Sequence, residues 1–245
     1  MKNVFPKHKQ INLVNFAITS RCNRCCPHCS YGMHILHDPW DITWDELILA
    51  ATTLGDVCRI NLTGGEPSVH PQFAEWAPKL KQVFAPNLVS IETNGFGFKL
   101  FPEAFMHFDM IAPTIYDESF PGGQSNRDDI EFMITYRDQH KALLPIHCSK
   151  PTHLPRTIRT NGSYCFRAAS GAISFFNNRL FPCCTGHGIE EASSVNLSPF
   201  WREDIMKCPL ACRNCMFAVK RIFRTPDPKL FWQRLTGNDK NSNAR

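Results

Sequence analysis

The chemistry of this chain is predicted by one stretch, Cys22-Asn23-Arg24-Cys25-Cys26-Pro27-His28-Cys29, which directly follows an apolar segment. Read as C-x3-C-x2-C, it places Cys22, Cys26 and Cys29 on one tight loop after a strand. Three thiolates at this spacing can hold three corners of a [4Fe–4S] cluster, whose usual complement is four cysteines. The fourth iron is then open and can bind a small molecule. A zinc knot or a disulfide cluster is the alternative, although zinc sites more often pair distant C-x2-C halves.

Two further motifs stand at the ends of predicted strands. The first is Asn61-Leu62-Thr63-Gly64-Gly65-Glu66-Pro67, in which two glycines let the backbone approach a ligand closely. Its Glu66 offers a carboxylate to an ammonium group. The second is Ser90-Ile91-Glu92-Thr93-Asn94-Gly95, which puts a polar tip on the next strand. By itself, Asn-Gly is chiefly a turn signal.

Together the three motifs resemble those of the radical S-adenosylmethionine (radical SAM) superfamily, whose hallmark is the C-x3-C-x2-C loop. The resemblance implies that the open iron chelates SAM, that an electron from the reduced cluster cleaves the sulfonium, and that a 5′-deoxyadenosyl radical abstracts a substrate hydrogen. It implies a cluster on Cys22, Cys26 and Cys29. The implied cofactor-binding residues are Gly64, Gly65 and Glu66 near the SAM amino group, Glu92, Thr93 and Asn94 near the ribose, and His28, which either stacks near the adenine or only fills the loop.

Composition is that of a globular protein. The chain has 245 residues, of which 43% are hydrophobic and 20% charged, and a net charge of +5. No apolar run is long enough for a transmembrane helix, and the N-terminus lacks the apolar region of a signal peptide. Twelve cysteines without an export signal indicate metal binding in a reducing compartment. We therefore expect a cytoplasmic, oxygen-sensitive protein that does not bind membranes.

Strand and helix patterns alternate along residues 1–150. Strands are predicted over 11–18, 58–62, 87–92, 110–116 and 143–148. Helices are predicted from the Thr43–Glu46 capping box to Gly55, from Pro71, over 102–108 and over 127–141. Cys58 is expected to be a buried residue of the second strand. The alternation predicts an α/β fold, an open partial β/α barrel of about five to six parallel strands, with ligands at the carboxyl ends of the strands.

Six cysteines mark the last third of the chain: Cys165, Cys183, Cys184, Cys208, Cys212 and Cys215. Residues 171–182 read as a β-hairpin that turns at Asn177-Asn178-Arg179. The arrangement is similar to the twitch domain, a shortened SPASM domain of radical SAM enzymes. The resemblance implies an auxiliary [4Fe–4S] cluster on Cys165, Cys183, Cys212 and Cys215, with Cys208 able to replace one ligand; structural zinc is the alternative. The predicted units are a barrel over 1–150, a cysteine-rich domain over 151–236 and a disordered tail over 237–245.

An auxiliary cluster favours electron transfer, so the main hypothesis is a two-electron oxidation of a small molecule, as in a twitch-type dehydrogenase. One alternative is a redox-neutral rearrangement or modification of a nucleotide or nucleic-acid base, motivated by the Glu-Thr-Asn-Gly segment and the basic charge. Another is peptide maturation. An electron donor such as flavodoxin or ferredoxin is implied by the resemblance. No residue is assigned as the general base.

Overall fold

The computed structural model describes residues 11–24, 26, 29, 39–116, 125–149, 172–182 and 194–207. Within them the strands are β1 (Leu13–Thr19), β2 (Arg59–Gly64), β3 (Leu88–Thr93), β4 (Met110–Pro113), β5 (Ala172–Phe176), β6 (Arg179–Phe181) and β7 (Val195–Asn196). They form one open sheet in the order β4-β3-β2-β1-β5-β6-β7. The strands from β4 through β5 pair in parallel, whereas β6 and β7 extend the sheet antiparallel. The predicted α/β class with a largely parallel open sheet is confirmed.

The helices of the described residues are α1 (Trp44–Leu54), α2 (Phe73–Val83), α3 (Pro102–Phe105), α4 (Arg127–Gln139) and α5 (Trp201–Lys207), with a 3₁₀ turn at Pro67–Val69. The predicted capping box is present, since the Thr43 hydroxyl accepts from the Glu46 N–H and the Glu46 carboxylate accepts from the Thr43 N–H. Gly55 caps the end of α1, as predicted. No helix among these residues is long and apolar enough to cross a membrane.

The two faces of the sheet differ in polarity. One face carries Phe16, Leu62 and Ile91, which are fully buried against α1, α2 and α3. Phe16 stacks on Phe175 of β5 with ring centroids 4.3 Å apart and meets Phe84 edge-on at 5.2 Å. Because side chains alternate along a strand, the neighbouring residues point to the opposite face. That opposite face is polar and leads to the candidate site.

The predicted fifth strand over 143–148 is wrong. This segment makes only isolated parallel bridges beside β4, at Ile111 with Ile146 and at Thr114 with Ser149. Backbone hydrogen bonds join the segment to β4, from the Ile111 N–H to the Pro145 carbonyl at 3.0 Å and from the Ser149 N–H to the Pro113 carbonyl at 2.9 Å. Pro113 of β4 has no N–H to donate between them and Leu143 is fully solvent-exposed, so no continuous strand forms. The fifth parallel strand is instead β5, on the other side of the sheet next to β1.

The predicted hairpin is present and lies in the main sheet. Asn177 and Asn178 have φ values of 48° and 57°, which suit a two-residue hairpin turn between β5 and β6. Helix α5 also packs on the barrel, where the Trp201 indole donates to the Thr53 carbonyl at 3.0 Å. The hairpin of β5 and β6 and helix α5, which the sequence analysis assigned to a second domain, therefore extend the barrel. The predicted boundary near residue 150 lies outside the described residues.

The expectation for Cys58 is also wrong. Cys58 precedes β2 and is exposed, with a φ of 73°. The chain turns here directly before Arg59 begins the strand, so the cysteine side chain stays exposed although its carbonyl accepts from the Leu88 N–H at 3.0 Å.

Candidate functional site

The cysteine loop begins where β1 ends. The pairing of β1 with β2 shifts register between Ala17 and Thr19, and such irregularities re-aim the chain that follows. The loop start is tied to the segment returning from it. The Ser20 N–H donates to the Trp40 carbonyl at 2.7 Å, and the Arg21 guanidinium contacts the Asp41 carboxylate at 2.7 Å. The start of the cysteine loop and the segment that returns from it therefore have defined positions at the edge of the sheet.

The three cysteines of the motif follow on this loop. The Cys29 N–H donates to the Cys26 carbonyl at 3.1 Å, which forms a tight turn around the second and third cysteines. Cys22 keeps solvent-accessible surface yet is surrounded by protein, as expected for a residue that lines a concave surface. Desolvation raises the pKa of its thiol to about 12, the Arg24 N–H opposes that rise, and the nearby Glu66, Cys29 and Cys26 add to it. Because the charges of Cys26 and Cys29 affect the pKa of Cys22, the three thiols lie close to one another.

Gly64 and Gly65 pack directly under the cysteine loop. A Cβ on Gly64 would lie 2.1 Å from the Thr19 carbonyl oxygen, and one on Gly65 would lie 2.1 Å from that of Arg21. The Gly65 N–H donates to the Thr19 carbonyl at 2.9 Å, and the Glu66 N–H donates to the Arg21 carbonyl at 2.8 Å. The two glycines are thus needed because the backbone at the start of the cysteine loop packs against them. The sequence analysis had explained them by the close approach of a ligand.

The Glu66 carboxylate is fully buried and accepts four hydrogen bonds from its own chain. Its Oε1 accepts from the Ser68 N–H at 3.1 Å, the Ser68 hydroxyl at 2.7 Å and the Thr93 hydroxyl at 2.7 Å, and its Oε2 accepts from the Asn94 N–H at 2.6 Å. Burial raises the pKa of this carboxyl, and the hydrogen bonds from Asn94, Ser68 and Thr93 oppose the rise. Four donors nearly fill the acceptor capacity of a carboxylate. In this geometry the side chain joins the end of β2 to the end of β3.

Asn94 continues this connection to the cysteine loop. Its side-chain amide donates to Asn23 Oδ1 at 2.8 Å and approaches the Cys22 sulfur at 3.9 Å. Its own Oδ1 accepts from the Phe96 N–H at 3.0 Å, which fixes the amide orientation. The ends of β1, β2 and β3 are therefore held together through side chains of all three predicted motifs.

Two residues that the sequence analysis missed extend the network to the end of β4. Asn126, buried at the start of α4, donates to the carbonyls of Asn94 at 2.6 Å and Thr114 at 2.7 Å. It also accepts from the Tyr116 N–H at 2.8 Å. The Tyr116 hydroxyl lies 3.8 Å from the Cys26 sulfur, and the Arg24 guanidinium lies over its ring at 4.3 Å. Tyr116 stands just past the carboxyl end of β4, so the strand-end rule applied to this strand would have indicated it.

A row of polar side chains crosses the sheet below this site. Asn61 pairs in register with Asn15 on β1 and with Ser90 on β3, and Asn15 pairs with Ser174 on β5. The Asn61 amide donates to Asn15 Oδ1 at 2.9 Å, and the Ser90 hydroxyl donates to Asn61 Oδ1 at 2.9 Å. All four residues are buried. The face of the sheet that leads to the strand ends is thus built for polar contacts.

Thr63 supplies an unpaired group on the same polar face. It lies two residues beyond Asn61 and directly before Gly64, and only 1% of its surface is exposed. Its hydroxyl has no hydrogen-bond partner in the part of the chain that the structure describes. Leaving a buried hydroxyl unpaired costs about 1–3 kcal/mol, so this position favours a bound polar group.

These residues fit a [4Fe–4S] cluster with SAM. The donor set is three soft thiols, and the adjacent strand ends supply polar groups and an unpaired hydroxyl. Among the residues that the structure describes, no three His, Cys, Asp or Glu side chains converge on a single metal ion. His28 and the auxiliary set of Cys165, Cys183, Cys212 and Cys215, with Cys184 and Cys208, lie outside the described residues.

The radical SAM superfamily model matches residues 16–117. Among curated proteins, the chain is 27% identical over 141 residues to the GTP 3′,8-cyclase of Limosilactobacillus fermentum, covering 52% of this chain and 42% of that enzyme. It is 35% identical over 99 residues to the GTP 3′,8-cyclase of Moorella thermoacetica, covering 39% of this chain and 30% of that enzyme. The matched part therefore spans less than half the length of these relatives.

Solved structures match over more of the chain. BtrN in complex with AdoMet and 2-DOIA aligns with a TM-score of 0.57 and 14% identity, covering 81% of this chain and 82% of that one. An open conformation of BtrN aligns with a TM-score of 0.53. At this identity the likeness shows the shared fold.

Proposed function

Because residues 16–117 belong to the radical SAM superfamily, we propose that this chain is an enzyme that abstracts a hydrogen atom from a nucleotide and rearranges or modifies it without net oxidation. The observation that carries the proposal is the hydrogen-bonded junction of the cysteine loop, Glu66 and Asn94 at the ends of β1, β2 and β3. When bound, a cluster and SAM supply hydrogen abstraction by a carbon-centred radical. The protein holds and orients both groups.

Cys22, Cys26 and Cys29 would hold the cluster, and the polar strand ends would hold SAM. We assign Glu66 a positioning role, because its carboxylate is occupied by four donors of its own chain. The Thr63 hydroxyl and Glu92, which is partly exposed at the end of β3, are better placed to meet a bound ligand. Gly64, Gly65, Thr93 and Asn94 bring these groups together, and stacking by His28 stays a prediction.

The relatives favour the nucleotide hypothesis over the oxidation that the sequence analysis put first. The activity that these relatives are named for, GTP 3′,8-cyclase, is a reaction on a nucleotide. The oxidation hypothesis depended on auxiliary-cluster cysteines that lie outside the described residues, and the peptide hypothesis has no supporting contact among the described ones.

The first test is cluster content and SAM cleavage. After anaerobic reconstitution, the wild-type chain should bind at least about four iron and four sulfide ions, and about eight of each if an auxiliary cluster is present. With dithionite it should convert SAM to 5′-deoxyadenosine. Cys22→Ala should abolish that conversion, whereas Cys58→Ala, which alters an exposed cysteine outside the loop, should preserve it.

The substrate class is tested with the same assay. Purine nucleoside triphosphates should raise 5′-deoxyadenosine formation above the rate without substrate, and the nucleotide should be converted to an isomer or adduct. Stimulation by secondary alcohols such as aminocyclitols, with a ketone product and no response to nucleotides, would instead establish the oxidation.

A further inference from the structure

We infer that Tyr116 and Arg24 tune the reduction potential of the cluster through a hydrogen bond to Cys26. The inference rests on the proposed function, because it requires a cluster on the cysteine loop. It concerns two residues to which the sequence motifs assign no role. The contacts at the carboxyl end of β4 carry it.

The Tyr116 hydroxyl is in reach of a cluster ligand. Its oxygen lies 3.8 Å from the Cys26 sulfur, within the longer range of hydrogen bonds to sulfur. In the thiol form the sulfur donates to the hydroxyl. A thiolate bound to iron has no proton, so the direction reverses and the tyrosine O–H donates. A phenol hydroxyl can both donate and accept, so the same contact serves either direction.

The position of Tyr116 is fixed by its backbone. Its N–H donates to Asn126 Oδ1 at 2.8 Å, and its carbonyl accepts from the Asn126 N–H at 3.3 Å. Asn126 is itself buried and anchored on the carbonyls of Asn94 and Thr114. Asn126 therefore fixes the backbone position from which the Tyr116 ring reaches the loop.

Arg24 adds a positive charge at the same place. Its guanidinium lies over the Tyr116 ring at 4.3 Å, within the range of a cation–π contact. A cation on the ring face withdraws electron density and makes the hydroxyl a better donor. It also stands near Cys26, two residues along the same loop.

Reduction adds one electron to the cluster, and the extra negative charge is shared with its sulfur ligands. Hydrogen bonds to the sulfurs and the nearby charge are among the factors that set cluster potentials. A donor and a cation beside Cys26 stabilise the reduced form, so they raise the potential. Only the difference in hydrogen-bond strength between the reduced and the oxidised cluster shifts the equilibrium, and because the bond is stronger to the more negative sulfur we expect a shift of about tenfold.

The test is the midpoint potential of the cysteine-loop cluster in the full-length chain, measured by dithionite titration with electron paramagnetic resonance. Cys212 and Cys215, which the sequence predicts to be auxiliary ligands, are changed to Ala in every sample to isolate that cluster. Tyr116→Phe keeps the ring and removes the hydroxyl, so its potential should be more negative by about 59 mV, the tenfold change for a one-electron couple. Arg24→Gln should shift it in the same direction.

Tyr136→Phe is the matched control, because Tyr136 lies on α4 and stacks on His140 away from the loop. Its potential should equal that of the parent chain. Equal potentials in the parent, Tyr116→Phe and Arg24→Gln would overturn the inference while leaving the proposed function intact. If Tyr116→Phe assembles no cluster, Arg24→Gln alone decides, and an unchanged potential again overturns it. A parent chain that binds no cluster overturns both.

Discussion

Replacing Glu66 with Gln should destabilise the chain by a predictable amount, because an amide cannot satisfy the four donors that surround the carboxylate. The Gln nitrogen should occupy the Oε1 position, where the Ser68 and Thr93 hydroxyls can turn to accept from it. The oxygen then keeps the bond from the Asn94 N–H. Only the Ser68 N–H loses its acceptor, and one buried unpaired donor costs about 1–3 kcal/mol.

Replacing Glu66 with Ala should cost at least twice as much as replacing it with Gln. Both the Ser68 and the Asn94 N–H groups then lose their acceptor, for about 2–6 kcal/mol before any cavity is counted. Glu75→Gln is the control, because Glu75 forms an exposed ion pair with Lys79 that contributes less than about 1 kcal/mol.

Urea unfolding of the full-length chain, followed by circular dichroism, measures these differences. With an m-value of about 2 kcal/mol/M, Glu66→Gln should lower the midpoint by about 0.5–1.5 M. If Glu66→Gln is no less stable than Glu75→Gln, or as unstable as Glu66→Ala, the carboxylate does not hold the strand ends as described.

Three other predictions concern the same region. Gly65→Ala should reduce iron bound after reconstitution several-fold, because its Cβ meets the Arg21 carbonyl. Gly55→Ala should bind iron normally, because a Cβ there meets open space although the φ of Gly55 is positive. Thr63→Val removes an unpaired buried hydroxyl, so the free energy of unfolding without ligand should stay level or rise by about 1 kcal/mol. The affinity for SAM, measured by equilibrium dialysis, should fall. A loss of stability would show that the hydroxyl has a partner. Burial lowers the pKa of His70, so the unfolded chain binds a proton that the folded chain does not, and stability should fall as pH drops below about 6.5. His70→Gln should weaken this dependence in urea unfolding at pH 7.5 and 5.5, and an unchanged slope would assign it to other groups.

The pH prediction for His70 has a clear structural basis. Its Nδ1 accepts from the Gln72 N–H at 3.1 Å and its Nε2 lies 3.1 Å from the Ile42 carbonyl, so the neutral ring satisfies both contacts. Protonation would place a second N–H against the Gln72 N–H. The sequence offered ten histidines and no means of choosing this one.

Local sequence chemistry predicted several features correctly. The capping box of Thr43 and Glu46 and the Asn177–Asn178 turn are set by neighbouring residues. The placement of the three motifs at strand ends also followed from the sequence, since parallel strands joined by helices bring their carboxyl ends to one edge.

Features that depend on distant segments could not be predicted in the same way. The parallel pairing of β5 with β1 joins segments far apart in the chain, and the interruption of the pairing of 143–148 depends on Pro113 of the neighbouring strand β4, which has no N–H to donate. The partners of Glu66 are a second example. The sequence identified a carboxylate beside two glycines and suggested an ammonium ligand, whereas in the structure Thr93 and Asn94 reach it from the next strand.

The sequence by itself therefore determined the fold class, the cysteine loop and the edge of the sheet where the site lies, because these depend on residue type and local spacing. Only the tertiary structure decided which side chains meet there: Asn94 with Cys22, Tyr116 with Cys26, and Asn126 between the ends of β3 and β4. The physical reason is that a hydrogen bond requires two groups at a set distance, and for residues on different strands that distance is fixed only by the packing of the whole sheet.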